Sequence, residues 1–442
     1  MFMLTTERIK TISKLAFPIG VALSSTLVMS LIDLAMVGRL GDRAIAAVGL
    51  SAFSFTLVLA FVLGIEPAVQ GLVARRRGEG STEPTCLPLN GGLLTALIVG
   101  IPLTIICCLF SSFFFSLISS DPEVTKIGVP FLRTLYIGII AVGINVAFKG
   151  YWAGIEKPYV FMGIALLMDG LNILVNYILI FGHFGAPALG ATGAAIGTVS
   201  SLYVGVMVNV AITYFRFRKE GFLNVKPEGS LLARIFKLGL PATLQTFFYS
   251  AGYVVFFWLV GQVGTTELAA ASVLVRIAEV LLLLALSLGS ASATLVSKTA
   301  GEGDFAAAAQ WGWDSGKLGV IGITLLGLPL VLFPRLFLSI FLSDPHTMSI
   351  ALIPMRLVGA TAGMGSLIWI FAYTLSSVGD GNRVALLSFC MQCVFLPLVW
   401  IVGPYLHYGL LQIWLVQISY GALATVLITA IWADGGWKKI KV

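Results

Sequence analysis

Long apolar runs, separated by short polar stretches, dominate the sequence. A helix that crosses a bilayer needs roughly 20 mostly apolar residues, and lipid-exposed backbone must satisfy its own hydrogen bonds, which favours α-helices. The pattern therefore predicts an all-α integral membrane protein with twelve transmembrane helices. The predicted spans are 14–37, 46–73, 89–118, 129–153, 159–182, 190–215, 233–261, 269–297, 316–342, 352–376, 383–403 and 409–433. We expect a tilt or a break in two of them, 89–118 and 316–342.

The twelve spans form two repeats at one constant offset of 223 positions. At that offset MVGRLGDRAIAA (36–47) resembles LVGQVGTTELAA (259–270), Gly78-Glu79-Gly80 pairs with Gly301-Glu302-Gly303, and Arg133 pairs with Arg356. Six spans per repeat predict two parallel six-helix lobes related by a pseudo-two-fold axis along the membrane normal. We place the N-terminal lobe at 1–218 and the C-terminal lobe at 219–442, with a cytoplasmic linker near 216–232.

Composition and charge agree with a membrane protein. The chain is 58% hydrophobic and 11% charged, whereas soluble domains carry about 25% charged residues. If the N-terminus is cytoplasmic, 20 of the 27 Lys and Arg residues fall in cytoplasmic segments. This bias predicts an inner-membrane protein with both termini in the cytoplasm, and it accounts for the net charge of +7 without a nucleic-acid partner. Because no G-x-x-x-x-G-K-[ST] loop occurs, we expect no ATP-driven transport and no cofactor.

A charged side chain inside a predicted span costs about 2.5–3.5 kcal/mol on insertion scales and therefore marks a candidate functional site. The candidates are Asp33, Glu66, Asp169, Arg276 and Glu279. Apolar surroundings favour the protonated form of a carboxyl group, which is what proton coupling needs, and the repeat equivalent of Asp33 is Phe256. We predict that Asp33 is the coupling acid. Arg276 and Glu279 are spaced as an intrahelical ion pair, and Glu66 is expected to reach the interface.

The fifth span carries a polar stripe of Asp169, Asn172 and Asn176 on one helix face. Asn176 and Asp33 are predicted to lie at similar depths, and Thr198 of the sixth span descends through the same layer. These side chains therefore form a candidate coupling site inside the N-terminal lobe. The alternative is that the amides and the hydroxyl only hold helices together, and Asp169 is either a second protonatable group or a packing acid.

Pro18 lies inside the first span, where a proline removes a backbone hydrogen bond and favours a bend. Parallel repeats enclose a central cleft near the membrane midplane. The candidate residues for the substrate cleft are mostly aromatic or polar: Gln245, Phe248, Tyr249, Phe256 and Glu279. We expect no metal centre, because Cys390 and Cys393 lie in an apolar run without a second ligand pair.

These features together resemble the multidrug and toxic compound extrusion (MATE) family of the MOP flippase fold. The resemblance rests on Pro18 and Asp33 in the first span, MVGRLGD after it, and N-x-x-x-N-Y-x-L-I-F-G in the fifth. The acid in the N-terminal lobe, together with the absence of obvious acids in the C-terminal lobe, is most similar to the pattern of the DinF branch. The resemblance implies export of amphipathic, often cationic compounds in exchange for protons or sodium ions. It also implies that Asp33 couples, that Asn172, Asn176 and Thr198 surround it, and that the helix bends at Pro18.

Our prediction of the coupling ion depends on one departure of this sequence from the family pattern. Many members carry an aspartate at the position of Asn176. A single nearby acid suits a proton, so we favour H⁺ coupling; Na⁺ at Asp33 remains the alternative, with Asp169 as a second carboxylate. We expect a monomer whose partners are amphipathic or cationic drugs and membrane lipid.

Three other classes compete with this interpretation. A major facilitator would carry a G-x-x-x-D-R-x-G-R-R-like loop where this chain has Arg75-Arg76-Arg77-Gly78-Glu79-Gly80. A lipid or oligosaccharide flippase would line its cleft with Arg and Lys, whereas the candidates here are mostly aromatic and amide side chains. An enzyme is not expected, because the sequence offers neither a metal cluster nor a nucleophile–base pair.

Overall fold

The structure, a computed structural model, describes residues 4–81, 84–119 and 121–440. In these ranges twelve helices are long and apolar enough to cross a membrane, which confirms the all-α class and the predicted number of spans. The helices are α1 Thr6–Gly38, α2 Asp42–Leu63, α3 Ile65–Gly78, α4 Leu87–Ile118, α5 Pro122–Gly154, α6 Pro158–Phe181, α7 Ala191–Phe217, α8 Gly229–Val263, α9 Thr265–Gly301, α10 Phe305–Leu332, α11 Pro334–Leu338, α12 Pro345–Ser377, α13 Gly381–Trp400 and α14 Leu410–Asp434.

The repeat is visible in the helix boundaries. The starts of α8, α9, α12 and α13 each lie 223 positions after the starts of α1, α2, α5 and α6. The long helices α5 and α12 begin in the same way, with an aspartate N-cap followed by proline. Asp121 accepts a hydrogen bond from the Glu123 amide, and Asp344 accepts from the Thr347 amide and hydroxyl. These hydrogen bonds lower the pKa of Asp344, because they stabilise its ionised form.

The chain divides into two compact units that exchange short segments. The N-terminal unit is Val21–Thr243, and the C-terminal unit is Met1–Gly20 together with Leu244–Val442. Both divisions fall inside a helix, two residues after an internal proline, Pro18 in α1 and Pro241 in α8. The units therefore differ from the predicted lobes in two segments, the start of α1 up to Gly20 and the start of α8 up to Thr243. The predicted lobe boundary near 216–232 stays a prediction.

One helix lies at the centre of each unit. In the N-terminal unit α5 packs against α2, α3, α4, α6 and α7, and it buries large side chains such as Phe148 and Trp152. In the C-terminal unit the equivalent helix α12 packs against α9, α10, α13 and α14, and it buries Ile370 and Phe371. These are the two most buried of the twelve candidate spans, so each forms much of the core of its unit.

Two predicted spans are interrupted. The run 316–342 ends as a helix at Leu332 and resumes at Pro334, which confirms the expected break, since a proline cannot continue the preceding hydrogen-bond pattern. The span 46–73 is divided between α2 and α3 at Gly64, which the sequence pattern did not indicate. At Gly64 the backbone approaches the Gly239 carbonyl so closely that a Cβ would overlap it. Only glycine permits this backbone packing.

Candidate functional site

The predicted coupling residues form one hydrogen-bonded cluster in the N-terminal unit. The Nδ2 of Asn176 donates to Asp33 Oδ1 at 2.7 Å and to Asn172 Oδ1 at 2.9 Å. The Nδ2 of Asn172 in turn donates to Thr198 Oγ1 at 3.1 Å. We call Asp33, Asn172, Asn176 and Thr198 the coupling cluster. The three helices α1, α6 and α7 thus bring together four of the residues that the sequence indicated.

Local helix geometry explains the cluster. Asn172 and Asn176 are four residues apart on α6, so their side chains lie on one face, and both are fully buried. The hydroxyl of Thr198 also donates to the Ala194 carbonyl one turn earlier at 3.0 Å, which fixes its orientation. Sequence reasoning missed Gly197, whose Cα lies so close that a Cβ would overlap Asn176 Oδ1. The small residues of the GATGAAIG stretch were the available signal for this close approach.

The cluster has one carboxylate and one spare acceptor. Asp33 is half-buried, whereas Asn176 Oδ1 is buried and accepts no hydrogen bond from the described residues. The Asn176 amide therefore offers the ionised Asp33 carboxylate a donor, while its oxygen packs against Gly197. Chemically, the cluster supplies one carboxylate, which can bind one proton.

Asp169 lies outside the coupling cluster. It is buried, and it accepts a 2.5 Å hydrogen bond from the Ser25 hydroxyl of α1. Ser25 was not singled out from the sequence, because a lone serine in an apolar span carries no distinctive pattern. The structure therefore adds a second contact between α1 and α6, separate from that of Asp33 and Asn176.

The first helix is attached at both ends. The guanidinium of Arg8 lies 2.6 Å from the fully buried Asp314 carboxylate of α10 and stacks on Trp311, 4.3 Å from the ring centroid. Ile12 and Leu15 of the same segment are buried in the C-terminal unit. From Val21 onward α1 belongs to the N-terminal unit. Pro18, the predicted bending residue, lies near the junction between the two attached segments.

Glu66 is placed differently from the expectation. It was expected to reach the interface, but it is buried, and its carboxylate pairs with Lys149 of α5 at 2.8 Å. The interruption at Gly64 explains the difference, because it makes Glu66 part of the first turn of α3 rather than of a continuous span. A carboxylate in a first helical turn also interacts favourably with the helix dipole.

The candidate cleft residues separate into two groups. Gln245, Tyr249 and Phe256 line a cavity of about 480 Å³ in the C-terminal unit. Phe248 is not among the lining residues and packs against Phe389, with ring centroids 5.1 Å apart. Glu279 does not line the cavity either; it forms the predicted ion pair with Arg276 at 3.1 Å.

Comparisons with known proteins agree with this architecture. The MatE family model matches residues 18–178 and 241–401, so the second match lies 223 positions after the first. The chain is 27% identical over 346 residues to the probable multidrug resistance protein NorM of Brucella suis biovar 1, covering 76% of this chain and 73% of that protein. Against the probable multidrug resistance protein NorM of Thermotoga maritima, identity is 24% over 438 residues, with 97% and 93% covered.

The fold is similar to that of a MOP superfamily transporter from Pyrococcus furiosus, with a TM-score of 0.87 and 20% identity over 98% of this chain and 97% of that one. This likeness concerns the fold alone, and the assignment to the DinF branch stays a prediction. Because the two matches to the family model together cover most of the sequence, the chain belongs to the MatE family, a family of multidrug and toxic compound extrusion transporters rather than enzymes.

Proposed function

We propose that the protein is a secondary active multidrug efflux antiporter. It exports amphipathic, often cationic compounds in exchange for H⁺ by alternating access, and Asp33 is its coupling acid. The names of the NorM relatives support drug export. The observation that carries the coupling part is the hydrogen bond between Asp33 and Asn176 inside the coupling cluster. In this proposal the protein works as a monomer in the inner membrane, with both termini cytoplasmic and without cofactor or nucleic acid.

The chemistry of the coupling cluster favours a proton over a metal ion. One half-buried carboxylate binds one proton, and the Asn176 Nδ2 donates a hydrogen bond to its ionised form. Protonation removes the negative charge that the Asn176 Nδ2 contacts, so the hydrogen bond weakens from a charge-assisted to a neutral one. Uptake of the proton thereby changes how strongly α1 is held to α6.

The attachment of α1 supplies the mechanical part of the proposal. The segment before Pro18 is fixed by the buried ion pair of Arg8 and Asp314, and the segment after it is held through Ser25 and Asp33. If the second segment moves relative to the first, α1 must bend between the two attachments. Proline lacks the amide hydrogen that would stiffen the helix there, so Pro18 is the position at which α1 bends.

Sodium coupling is the alternative function. A Na⁺ site would gather oxygen ligands from Asp33 and from a second carboxylate, and Asp169 on the same face of α6 is the candidate. Asp169 instead accepts from Ser25, and no hydrogen bond joins it to the coupling cluster among the described residues. A lipid or oligosaccharide flippase of the same superfamily is a second alternative, which anion transport would support.

The decisive experiment uses purified protein in liposomes and follows ethidium under an imposed pH gradient, and separately under a sodium gradient. Transport driven by the pH gradient alone, and abolished in Asp33→Asn, is expected. Asp42→Asn, which alters an exposed acid at the start of α2, serves as the matched control. Transport that requires sodium, or that persists in Asp33→Asn, would refute proton coupling at this acid.

A further inference from the structure

An open groove of about 540 Å³ lies between α1 and α6 within the N-terminal unit. Each helix contributes residues at spacings of three, four and seven, which place them on one helix face. The lining residues are Ile32, Ala35, Met36 and Arg39 from the α1 side and Gly170, Ile173, Leu174, Tyr177 and Phe181 from α6. The groove thus follows about two turns of α1, roughly 10 Å, and reaches the end of both helices.

Arg39 lies at the end of this groove. It follows α1 directly, is exposed, and is the only charged side chain among the described residues of the lining. Its guanidinium lies 6.0 Å from the centroid of the Phe181 ring. In the part of the chain that the structure describes, it forms no ion pair, although Asp42 is only three positions away in sequence. An apolar groove therefore ends at an arginine whose donors are available to an anion.

The second repeat lacks this cation. The residue 223 positions after Arg39 is Gln262, which is also exposed and lies in the last turn of α8. The fold therefore accepts a neutral amide at this position, and the end of the helix does not require an arginine. The charge is specific to the groove of the N-terminal unit.

Aromatic rings surround the same end of the groove. The Tyr177 ring stacks on His183 at 4.3 Å between centroids, and the Phe181 ring lies 6.1 Å from both. In the turn that follows, Phe184 is 86% exposed. Aromatic side chains are enriched where a membrane meets water. The groove therefore opens at the depth of the phospholipid headgroups and extends into the acyl-chain region.

The physics of the bilayer indicates what occupies such a groove. An acyl chain gains little when it leaves other lipids for an apolar protein surface, because both surroundings are equally apolar. Discrimination among lipids must then come from the headgroup. Arginine binds phosphate through parallel charge-assisted hydrogen bonds. A net negative lipid gains the full attraction of Arg39, whereas the choline of a zwitterionic lipid offsets it.

From these observations we propose that the groove binds one anionic phospholipid, with its phosphate on Arg39 and an acyl chain between α1 and α6. In the proposed topology this lipid comes from the outer leaflet of the inner membrane. The walls of the groove are the two helices that the Asp33–Asn176 and Ser25–Asp169 hydrogen bonds join. A bound lipid favours one spacing of these helices and thereby alters the transport rate. This regulatory part rests on the proposed function.

A local probe distinguishes the groove from other basic surfaces. Leu174→Cys places a trifluoroethylthio label, similar in size to leucine, in the groove. Leu109→Cys places it at a 71% exposed position of α4 outside the lining. Both are made in a chain without the more accessible cysteines, by Cys108→Ala, Cys390→Ala and Cys393→Ala. The ¹⁹F signal is recorded in phosphatidylcholine nanodiscs that contain a small, equal fraction of doxyl-labelled phosphatidylglycerol or phosphatidylcholine with identical chains.

We expect the phosphatidylglycerol to broaden the Leu174→Cys signal about fivefold more than the phosphatidylcholine, and the Leu109→Cys signal about equally. Arg39→Gln, which introduces the residue of the second repeat, should bring the ratio at Leu174→Cys to about one. Arg43→Gln removes an exposed cation of α2 that is outside the lining and should keep the preference.

Four outcomes would overturn the proposal: no preference at Leu174→Cys, an equal preference at Leu109→Cys, a preference that survives Arg39→Gln, or equal loss in Arg43→Gln. A Leu174→Cys signal that neither lipid broadens would overturn it as well and would mean that a second copy of the chain covers the groove. Because this measurement uses neither a substrate nor a gradient, it does not depend on the proposed antiport.

The regulatory part is tested by filling the groove. A Cβ at Gly170 meets open space, so Gly170→Phe should occupy the groove without a clash; Gly163→Phe, also in open space on α6 but outside the lining, is the control. Ethidium transport under a pH gradient should depend on phosphatidylglycerol in the parent and in Gly163→Phe, and lose this dependence in Gly170→Phe. Equal dependence in all three would refute the regulation. Local enrichment without any transport would refute the antiport alone, and transport without enrichment would refute the lipid site alone.

Discussion

The ion pair of Arg8 and Asp314 allows a quantitative prediction about α1. Asp314 is fully buried, the Arg8 side chain is 19% exposed, and the two charged atoms lie 2.6 Å apart. Removing one partner of a buried pair costs about 3–5 kcal/mol, since the remaining charge is left without its counter-ion. Lys317 lies 3.5 Å from the other Asp314 oxygen and compensates in part. Arg8→Met should therefore lower the free energy of unfolding by about 3 kcal/mol.

A double-mutant cycle separates the ion pair from other effects. Asp314→Leu alone removes the acid and leaves Arg8 without its partner, whereas Arg8→Met with Asp314→Leu replaces the pair by apolar groups of similar size. The double variant should lie within about 1 kcal/mol of the parent, which gives a coupling energy of at least about 2 kcal/mol.

The assay is equilibrium unfolding in mixed micelles of dodecyl maltoside and SDS, followed by tryptophan fluorescence. Trp311 stacks on Arg8, so this one of the nine tryptophans also senses the pair itself. Additive effects of the two substitutions, or a loss below about 1 kcal/mol in Arg8→Met, would refute the view that this contact holds the first segment of α1.

Three further predictions concern other parts of the chain. Gly197→Ala should abolish transport driven by a pH gradient, because the added Cβ displaces the amide of the coupling cluster; Gly163→Ala, which meets open space, should transport normally. Lys149→Met should lower the free energy of unfolding by about 3 kcal/mol, measured in the same mixed micelles, because buried Glu66 loses its ammonium partner. The lowered pKa of Asp344 means that its cap stabilises the protein above pH 3.8 and is lost as the pH falls through the folded-state value. Asp344→Ser, which caps without titrating, should flatten the acid side of a plot of melting temperature against pH, and an unchanged curve would contradict this assignment.

The sequence predicted those features that depend on short-range pattern. The spans follow from the length of apolar runs, and the pairing of Asn172 with Asn176 follows from helix periodicity alone. These two predictions succeeded because each uses geometry that a helix imposes on its own residues. The meeting of these amides with Asp33 required in addition that α1 and α6 pack with their polar faces turned inward.

Features that depend on distant parts of the chain were not predictable in this way. The interruption at Gly64 reflects backbone contact with Gly239, which is remote in sequence and belongs to α8. Ser25 links α1 to α6 because its hydroxyl donates a hydrogen bond to Asp169, which is remote in sequence. The burial of Glu66 followed from the same interruption. In each case the deciding interaction joins helices whose packing no local pattern specifies.

The exchanged segments of α1 and α8 have a consequence for how the protein can be assembled from fragments. A chain cut between Phe217 and Gly229 yields two polypeptides, each with six spans, but neither carries a whole compact unit. The first fragment keeps the part of α1 up to Gly20, which belongs to the C-terminal unit. The second fragment keeps the part of α8 up to Thr243, which belongs to the N-terminal unit. Each fragment made alone would therefore expose unmatched helix faces to lipid, and complementation should require synthesis of both in the same membrane. During synthesis of the intact chain, the first repeat cannot finish packing until α8 has been inserted.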